Sequence, residues 1–258
     1  MQEYKELKEK TLLILNSNWI NTQVYGIDNI GLLFEKLLGI APGNLEMPDW
    51  GDIEIKTKSE NSQKYITLFN ATPDSSVFAI KSIVQNYGYP DKDFSYLKVF
   101  NVSINGKHLK KTNDKFLFKL FIDNLNKCLV LKVFDQSFNL LDDSISWSFD
   151  LLNEKLQRKL KYLLFVKTEK RNFNKIRHVK YISASLYKLR GFDFFLKAIG
   201  DGYIRVTFKI GIFKGTYKYG EMHDRGTGFD IEEINIAKLF ELLEVWNQGE
   251  IKKIKPNV

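Results

Sequence analysis

Asp49, Glu54 and Lys56 have the types and spacing of residues that perform metal-dependent hydrolysis. Ile53 and Ile55 alternate with polar residues, which predicts a strand whose polar face carries Glu54 and Lys56 together. Asp49 precedes this strand across a glycine-containing turn, so its carboxylate can swing toward Glu54. Two carboxylates suit Mg²⁺, and a neighbouring Lys can orient or deprotonate a water and offset phosphate charge. The spacing therefore indicates a metal-activated nucleophile aimed at a phosphodiester bond.

The same residues allow other interpretations. Alternating charges are also typical of a strand face that is simply exposed to solvent. Asp52 lies on the predicted polar face of the strand and competes with Asp49 for the role of metal ligand. Glu35 interrupts the apolar stretch Leu32–Leu38 and points either to solvent or into a site. Both choices stay open on residue spacing alone.

The elements that must position these residues alternate between helices and strands. Asp28 can cap a helix that carries Glu35 and ends at Gly39. The strand around Ile53 is expected to pair as a hairpin with residues 65–69. Together the elements predict an α/β (α+β) protein with a mixed sheet flanked by helices. The other expected elements are helices over 5–15, 75–86, 149–160, 185–199 and 234–245, strands over 97–104, 116–122, 128–134, 162–166, 179–183 and 203–212, a turn at 41–44 and a polar, basic connection over 167–178.

The composition is that of a folded protein with an excess of positive charge. Hydrophobic residues make up 44% of the chain and charged residues 27%, which excludes a disordered chain. The 39 Lys and Arg against 31 Asp and Glu leave a formal charge of +8, which favours a polyanion such as nucleic acid as partner. A basic surface that only serves solubility is equally compatible with this charge. Lys159, Lys161 and the basic residues between 167 and 177 either contact phosphates or are solvated.

The cysteine and apolar content exclude several other classes. No apolar run approaches the roughly 18 residues of a membrane-spanning helix, so no membrane partner is expected. Cys128 is the single cysteine, which excludes an intrachain disulfide and a Cys-rich zinc site. These features predict a cytoplasmic protein in a reducing compartment.

Seven segments along the chain form a pattern together. They are GLLFEKLL (31–38), NLEMPD (44–49), DIEIKT (52–57), LF (68–69), WSFD (147–150), KLKY (159–162) and HDRGTGF (223–229). In this order they resemble the MvaI/BcnI family of restriction endonucleases, PD-(D/E)XK nucleases related to the mismatch-repair nicking enzyme MutH. The resemblance spans nearly the whole chain, which a chance match of one motif would not do.

The resemblance implies a role for each residue of the candidate catalytic group. By it, Asp49 and Glu54 would ligate Mg²⁺, Lys56 would serve the attacking water, and Glu35 would complete the site from its helix. It favours Asp49 over Asp52 as the second ligand. The implied activity is that of a Mg²⁺-dependent, sequence-specific type II endonuclease that hydrolyses phosphodiester bonds of double-stranded DNA. A MutH-like strand-nicking repair enzyme and a non-catalytic DNA-binding protein that retains the fold are the alternatives.

The resemblance also implies how the protein is organised and what it works with. It predicts two lobes that form a DNA-binding cleft, with a catalytic lobe over residues 1–160 and a DNA-recognition lobe over residues 161–258. The resemblance implies a monomer that binds DNA alone, and the sequence offers no heptad seam or obvious apolar dimer face. A DNA methyltransferase of the same restriction system is the expected partner.

Residues in the C-terminal part are the candidates for reading DNA bases. They are Lys209, His223, Asp224, Arg225 and Asp230. Arg and Lys can pair with guanine, and a carboxylate can accept a hydrogen bond from cytosine, although phosphate contacts or solvation would explain each residue equally well. Relative to the family pattern, Lys209 and Asp230 stand where arginines are expected, Thr207 replaces an acid, and Arg225 replaces a His. The target sequence of the family therefore does not carry over to this chain.

Overall fold

The computed structural model describes residues 2–41, 46–59, 64–112, 115–215 and 217–249, which form seven α-helices and fifteen β-strands. The predicted α/β (α+β) class is confirmed. None of the described helices is long and apolar enough to cross a membrane. The helices are α1 (Gln2–Leu15), α2 (Thr22–Tyr25), α3 (Ile30–Leu38), α4 (Ala79–Tyr87), α5 (Phe149–Leu160), α6 (Phe192–Gly200) and α7 (Ile236–Leu239), and a 3₁₀ turn covers Glu233–Asn235. The strands are β1 (Ile20–Asn21), β2 (Ile53–Ser59), β3 (Tyr65–Asn70), β4 (Tyr89–Pro90), β5 (Lys98–Asn105), β6 (Lys110–Thr112), β7 (Phe116–Asp123), β8 (Cys128–Phe134), β9 (Leu140–Ser148), β10 (Tyr162–Phe173), β11 (Ile176–Leu189), β12 (Ile204–Ile212), β13 (Met222–Asp224), β14 (Gly228–Glu232) and β15 (Phe240–Asn247).

The chain is divided into two compact units, each built from segments that are far apart in sequence. The first unit contains residues 1–64, 157–190 and 240–258, and the second contains residues 65–156 and 191–239. The expected linear division at residue 160 does not describe these units. The reason is that β10 and β11, which follow residue 160, pair with each other and with β2.

The first unit is a five-stranded sheet packed against α1 and α3. Its strand order is β1-β11-β10-β2, and β15 pairs with a further stretch of β11. Strands β2 and β10 run parallel, and the other pairs in this sheet are antiparallel. Leu33 and Phe34 of α3 are fully buried in a core that includes Ile53 and Ile55 of β2. Burial of each such side chain contributes about 1.5–3 kcal/mol, so α3 is firmly anchored beside β2.

The second unit contains two antiparallel sheets. One has the order β3-β14-β12-β5-β4, with β13 also pairing β12, and the other has the order β6-β7-β8-β9. Phe208 of β12 and Phe229 of β14 pack against the buried Trp147, whose indole N–H donates to the carbonyl of Ala71 at 2.9 Å. One face of the larger sheet is therefore apolar core, and alternation along β12 sends Arg205, Thr207 and Lys209 to the other face.

Several predicted strands and helices are confirmed, and the following expectations are wrong. Residues 65–69 form a strand, but it pairs with β14 and not with β2. The expected connection over 167–178 is instead the paired ends of β10 and β11. The helix expected over 185–199 begins at Phe192, and the helix expected over 234–245 ends at Leu239, where β15 (Phe240–Asn247) follows. The predicted turn at 41–44 lies outside the described residues from position 42 onward.

Strand β15 shows why the local pattern failed at the C-terminal end. Leu242, Leu243 and Val245 have a spacing that also fits a helix. β15 pairs with β11; its Phe240 is buried, and its Trp246 lies in the first unit's core. Tertiary packing of this kind outweighs a local propensity, which spans about 1 kcal/mol per residue at most.

Glu244 of β15 connects this strand to α1 through side-chain hydrogen bonds. Its carboxylate accepts hydrogen bonds from the Tyr4 hydroxyl, from Lys8 Nζ at 2.6 Å and from the Trp246 indole at 2.9 Å. These donors, led by Lys8, lower the pKa of Glu244 to about 2. Two elements that are far apart in sequence are thereby held together by one carboxylate.

We expect Glu244→Gln to lower the free energy of unfolding by about 1 kcal/mol at neutral pH, because the side chain is partly exposed and solvent weakens its ion pair. A carboxylate with a lowered pKa in the folded state stabilises the fold above its unfolded pKa and stops doing so as the pH falls through the folded value. The difference from wild type should therefore shrink between pH 4.5 and about 2. Urea denaturation across this range measures it. Glu241→Gln, an exposed carboxylate on the same strand, is the control, and an equal loss in both variants would contradict the role given to Glu244.

Candidate functional site

The turn before β2 holds Asp49 beside the strand. Trp50 and Ile53 exchange two backbone hydrogen bonds of 3.0 and 2.8 Å. Gly51 has a φ of +56°, a left-handed conformation that costs glycine little. The chain therefore folds back on itself, and Asp49 Oδ2 accepts the backbone N–H of Ile55 at 2.8 Å.

Glu54 is a carboxylate that the first unit buries almost completely. Its side chain is 1% exposed. Its Oε1 accepts a hydrogen bond from Lys56 and lies 3.4 Å from Nζ of Lys159. Its Oε2 is buried and has no hydrogen-bond partner among the described residues. An unpaired buried carboxylate oxygen is costly to the fold, so this atom is a strong candidate for binding a cation.

The carboxylates around Glu54 influence one another electrostatically. Burial raises the pKa of Glu54, and the charge of Asp49 raises it further, while Lys56 and Lys159 act in the opposite direction. Glu35 on α3 also has a raised pKa, mainly through burial and then through Asp49, with a smaller contribution from Glu54. The first unit therefore brings Glu35, Asp49, Glu54 and Lys56, the four predicted residues, into one charged neighbourhood.

Asp52 lies outside this neighbourhood. Its Oδ2 accepts a hydrogen bond from Lys161 at 2.5 Å, and the two side chains are 61% and 54% exposed. The Asp52 charge is not among the main influences on the pKa of Glu54 or of Glu35. The geometry therefore favours Asp49 over Asp52 as the companion of Glu54.

Lys159 is a member of the site that residue spacing did not reveal. It lies in the last turn of α5, more than a hundred residues after Glu54, and its side chain is only 15% exposed. The sequence pattern suggested a phosphate contact or a solvated position for it. The single available signal was its place in the segment KLKY, which resembles the family but carries no spacing relation to β2.

The donor set of this site fits a small, hard cation. In the described part of the chain, no three His, Cys, Asp or Glu side chains form a group that could hold a metal unaided. Mg²⁺ needs no such group, because it usually keeps several waters and binds one or two carboxylates together with a substrate phosphate. The buried carboxylate of Glu54, with Asp49 beside it, meets this requirement.

A second polar group lies on the polar face of the large sheet in the second unit. Asp230 of β14 is buried, with 4% exposure. The hydroxyl of Thr67 donates to its Oδ1 and the hydroxyl of Thr207 donates to its Oδ2, both at 2.7 Å. Ser103 on β5 extends the chain of hydroxyls, with its Oγ 3.0 Å from that of Thr207. Asp230 is therefore held from both sides by its own sheet.

Two cations border this carboxylate. Arg205 Nε lies 3.7 Å from Asp230 Oδ2, and its guanidinium stacks over the ring of Tyr65. Lys209 Nζ donates to the Thr67 hydroxyl at 3.3 Å. A Cβ atom on Gly228 would come within 3.0 Å of both Lys209 Nζ and Asp230 Oδ1, so the glycine leaves the room that these groups need. The sequence pattern had not singled out Thr67, Ser103 or Gly228.

The remaining candidates for base reading lie on and after β13. His223 is half-buried, and its ring stacks on Phe213 at 4.1 Å. Asp224 accepts the backbone N–H of Gly226 at 2.8 Å, which shapes the turn that follows. Arg225 is exposed, and its backbone N–H donates to the carbonyl of Lys209 at 3.2 Å. Strand pairing thus brings these residues to the edge of the strand that carries Lys209.

The chain matches a known protein family and is similar to solved structures. A family model described as the MvaI/BcnI restriction endonuclease family matches residues 8–240. Among solved structures, the chain is similar to a complex of restriction endonuclease MvaI with its cognate DNA substrate, with 31% identity, a TM-score of 0.84, and coverage of 94% of this chain and 98% of that chain. It is also similar to MvaI in the absence of DNA, with 30% identity, a TM-score of 0.62, and coverage of 95% and 98%. The comparison with curated proteins gave no match.

We expect Asp230→Ala to destabilise the protein in the absence of DNA by about 2 kcal/mol, because it leaves buried hydroxyl and cationic groups without their acceptor. Urea denaturation measures this loss. Arg225→Ala removes an exposed side chain of the same surface and is the matched control, expected within about 0.5 kcal/mol of wild type. Equal stability of the two variants would mean that Asp230 is not an internal anchor.

Proposed function

The chain belongs to the MvaI/BcnI restriction endonuclease family, and we propose that Glu54 and Asp49 bind Mg²⁺ for the reaction it catalyses. As a family member it is a sequence-specific type II endonuclease that hydrolyses phosphodiester bonds of double-stranded DNA. The observation that carries the metal proposal is the buried Oε2 of Glu54, which has no partner among the described residues. A hard cation would satisfy this oxygen and remove the cost of burying it.

The chain's own residues supply the environment for the hydrolysis. When bound, the cation would lower the pKa of a water and offset negative charge on a phosphate oxygen. Lys56, held against Glu54 Oε1, keeps further N–H donors for orienting the attacking water. Lys159 adds a second positive charge at the same carboxylate and offsets the charge that develops on the phosphate during attack. Glu35 completes the site from α3. The water oxygen bonds to phosphorus while the bond from phosphorus to the leaving sugar oxygen breaks.

For base reading we propose the polar face of the large sheet in the second unit, together with the residues on and after β13. Lys209, His223, Asp224 and Arg225 are assigned to direct contact with DNA. Asp230 is buried and each of its oxygens accepts a hydrogen bond from a threonine, so we assign it to positioning Arg205 and Lys209 rather than to accepting from cytosine. Ammonium and guanidinium groups presented in this way pair with guanine O6 and N7.

The catalytic role of the first unit and the recognition role of the second replace the linear assignment of residues 1–160 and 161–258. We further propose that the enzyme acts as a monomer in the cytoplasm, and that a DNA methyltransferase of the same system protects the host sites. A monomer with one catalytic centre cuts one strand and then reorients for the other. Nicked plasmid should therefore accumulate before linear product.

We expect Asp49→Asn and Glu54→Gln to abolish plasmid cleavage, because each removes a charged metal ligand, whereas Asp52→Asn should cleave within a few-fold of wild type. Agarose electrophoresis of supercoiled plasmid over time measures all three, and the wild-type course shows whether nicked circles precede linear DNA. Loss of cleavage in Asp52→Asn with near-normal cleavage in Asp49→Asn would transfer the ligand role to Asp52. Open circles as the final product would point to a nicking enzyme.

Metal binding has a readout that does not depend on cleavage. Mg²⁺ at a hundred times its Kd should raise the free energy of unfolding of the wild-type protein by about 2.7 kcal/mol. Glu54→Gln should lose most of this gain, while Asp52→Asn should keep it. Thermal denaturation with and without the metal distinguishes loss of the ligand from loss of the fold.

We expect Lys209→Ala to weaken binding to the cognate duplex by about 1–3 kcal/mol more than binding to random DNA, because a base contact discriminates whereas a phosphate contact does not. The cognate duplex is designed from the sequenced ends of digested plasmid, and binding is measured by anisotropy in EDTA. Lys81→Ala, an exposed residue of α4, is the control. An equal loss for cognate and random duplexes would assign Lys209 to phosphate contact.

A further inference from the structure

The ends of β10 and β11 form a two-stranded ribbon that extends beyond the pairing with β2. No residue of this ribbon belongs to the sites described above. Strands β10 and β11 stay paired from Thr168 and Tyr181 to the last pair, Phe173 and Ile176. Within the described residues, the pairing of β10 with β2 ends at Thr168 and Ser59. The ribbon therefore continues for five residues per strand past the end of the β2 pairing.

The ribbon is strongly basic. Residues 168–181 contain five Lys and Arg and one Glu, a formal charge of +4 in a chain whose total is +8. Residues 170–175 are all exposed, and the Phe173 side chain is 61% exposed. Such a concentration of charge on an exposed ribbon is complementary to a polyanion.

The tip of the ribbon carries a lysine where glycine would be easier to accommodate. Asn174 and Lys175 have φ values of +49° and +63°, the pattern of a type I′ turn between two paired strands. Asn followed by Gly is the preferred sequence there, because a side chain is strained at positive φ. Lys175 thus places a charge at the tip in spite of the backbone conformation.

The base of the ribbon is braced by the rest of the first unit. The guanidinium of Arg171 lies over the Trp19 ring at 4.2 Å, and that of Arg177 lies 3.8 Å from Asp28. Strand β1 pairs with β11 at His178 and Val179. The charged tip is therefore presented by an ordered support, which limits the entropy lost when a partner binds.

We propose that this ribbon binds the phosphates of DNA that flanks the cleaved bond, through Lys170, Lys175 and the neighbouring arginines. Phe165 of β10 pairs with the catalytic Lys56, and the tip lies eight residues further along the strand. At about 3.3 Å per residue this is a reach of at most about 26 Å, or about 8 base pairs of DNA. The contact would be independent of sequence and would lie within one helical turn of the reaction.

The test removes two ribbon charges and compares the result with two charges removed elsewhere. The ribbon variant is Lys170→Gln/Lys175→Gln, and the matched control is Lys5→Gln/Lys81→Gln, on the exposed sides of α1 and α4. Binding to a random-sequence duplex of several helical turns is measured in EDTA. Between 50 and 200 mM salt, wild type and control should lose about tenfold more affinity than the ribbon variant, because two phosphate contacts change the logarithmic salt slope by about 1.8.

Two further measurements separate this proposal from its alternatives. On cognate duplexes, wild type and ribbon variant should differ when the flanks extend well past 8 base pairs and should bind alike when the flanks stop well short of it. Lys175→Gly should weaken binding while leaving thermal stability equal or higher, since it removes the charge and relieves the backbone. Identical salt slopes in ribbon and control variants would show a merely solvated ribbon, and a loss confined to the cognate sequence would show a base contact; either result overturns the proposal.

Discussion

The burial of the Glu54 carboxylate is the constraint on which the proposed catalytic site depends. A charge that burial removes from water is tolerated only where other charges compensate for the lost hydration. Lys56 and Lys159 provide this compensation at Oε1, and burial still raises the pKa of the group. The fold thus accepts an unfavourable group at one point, which is typical of sites kept for function rather than for stability.

The contrast with Asp230 shows how a fold can use buried carboxylates in two ways. Asp230 is almost as buried as Glu54, but each of its oxygens accepts a hydrogen bond from a threonine of the same sheet. A buried carboxylate whose two oxygens both accept hydrogen bonds is already stabilised by its own sheet and fixes the groups around it. A carboxylate with an unpaired oxygen retains that capacity. Hydrogen-bond satisfaction, more than residue type, is what separates the proposed positioning residue Asp230 from the proposed ligand Glu54.

The parallel pairing of β2 with β10 explains how residues distant in sequence meet in the proposed catalytic site. Tyr162 at the start of β10 pairs with Ile53 at the start of β2. Helix α5 ends directly before β10, so its last turn delivers Lys159 to Glu54. The same register places Lys161 beside Asp52. The hydrogen bond between them engages the Asp52 carboxylate outside the group formed by Glu35, Asp49, Glu54 and Lys56. One strand pairing therefore both completes the site and distinguishes between two candidate aspartates.

The sequence by itself determined the local pattern of its elements and, through the order of its family-like segments, the family. Alternation at Ile53 and Ile55, the helix that ends at Gly39 and the order of the family-like segments were sufficient for the fold class, the enzyme family and the grouping of Glu35, Asp49, Glu54 and Lys56. Only the tertiary structure decided that β3 pairs with β14, that residues 240–247 form a strand, and that each unit is built from separate segments of the chain. It also decided that Lys159 lies beside Glu54 and that Asp230 accepts hydrogen bonds from Thr67 and Thr207. The reason is physical: periodicity and capping act over a few residues, whereas strand pairing and burial join residues whose separation along the chain leaves no pattern in it.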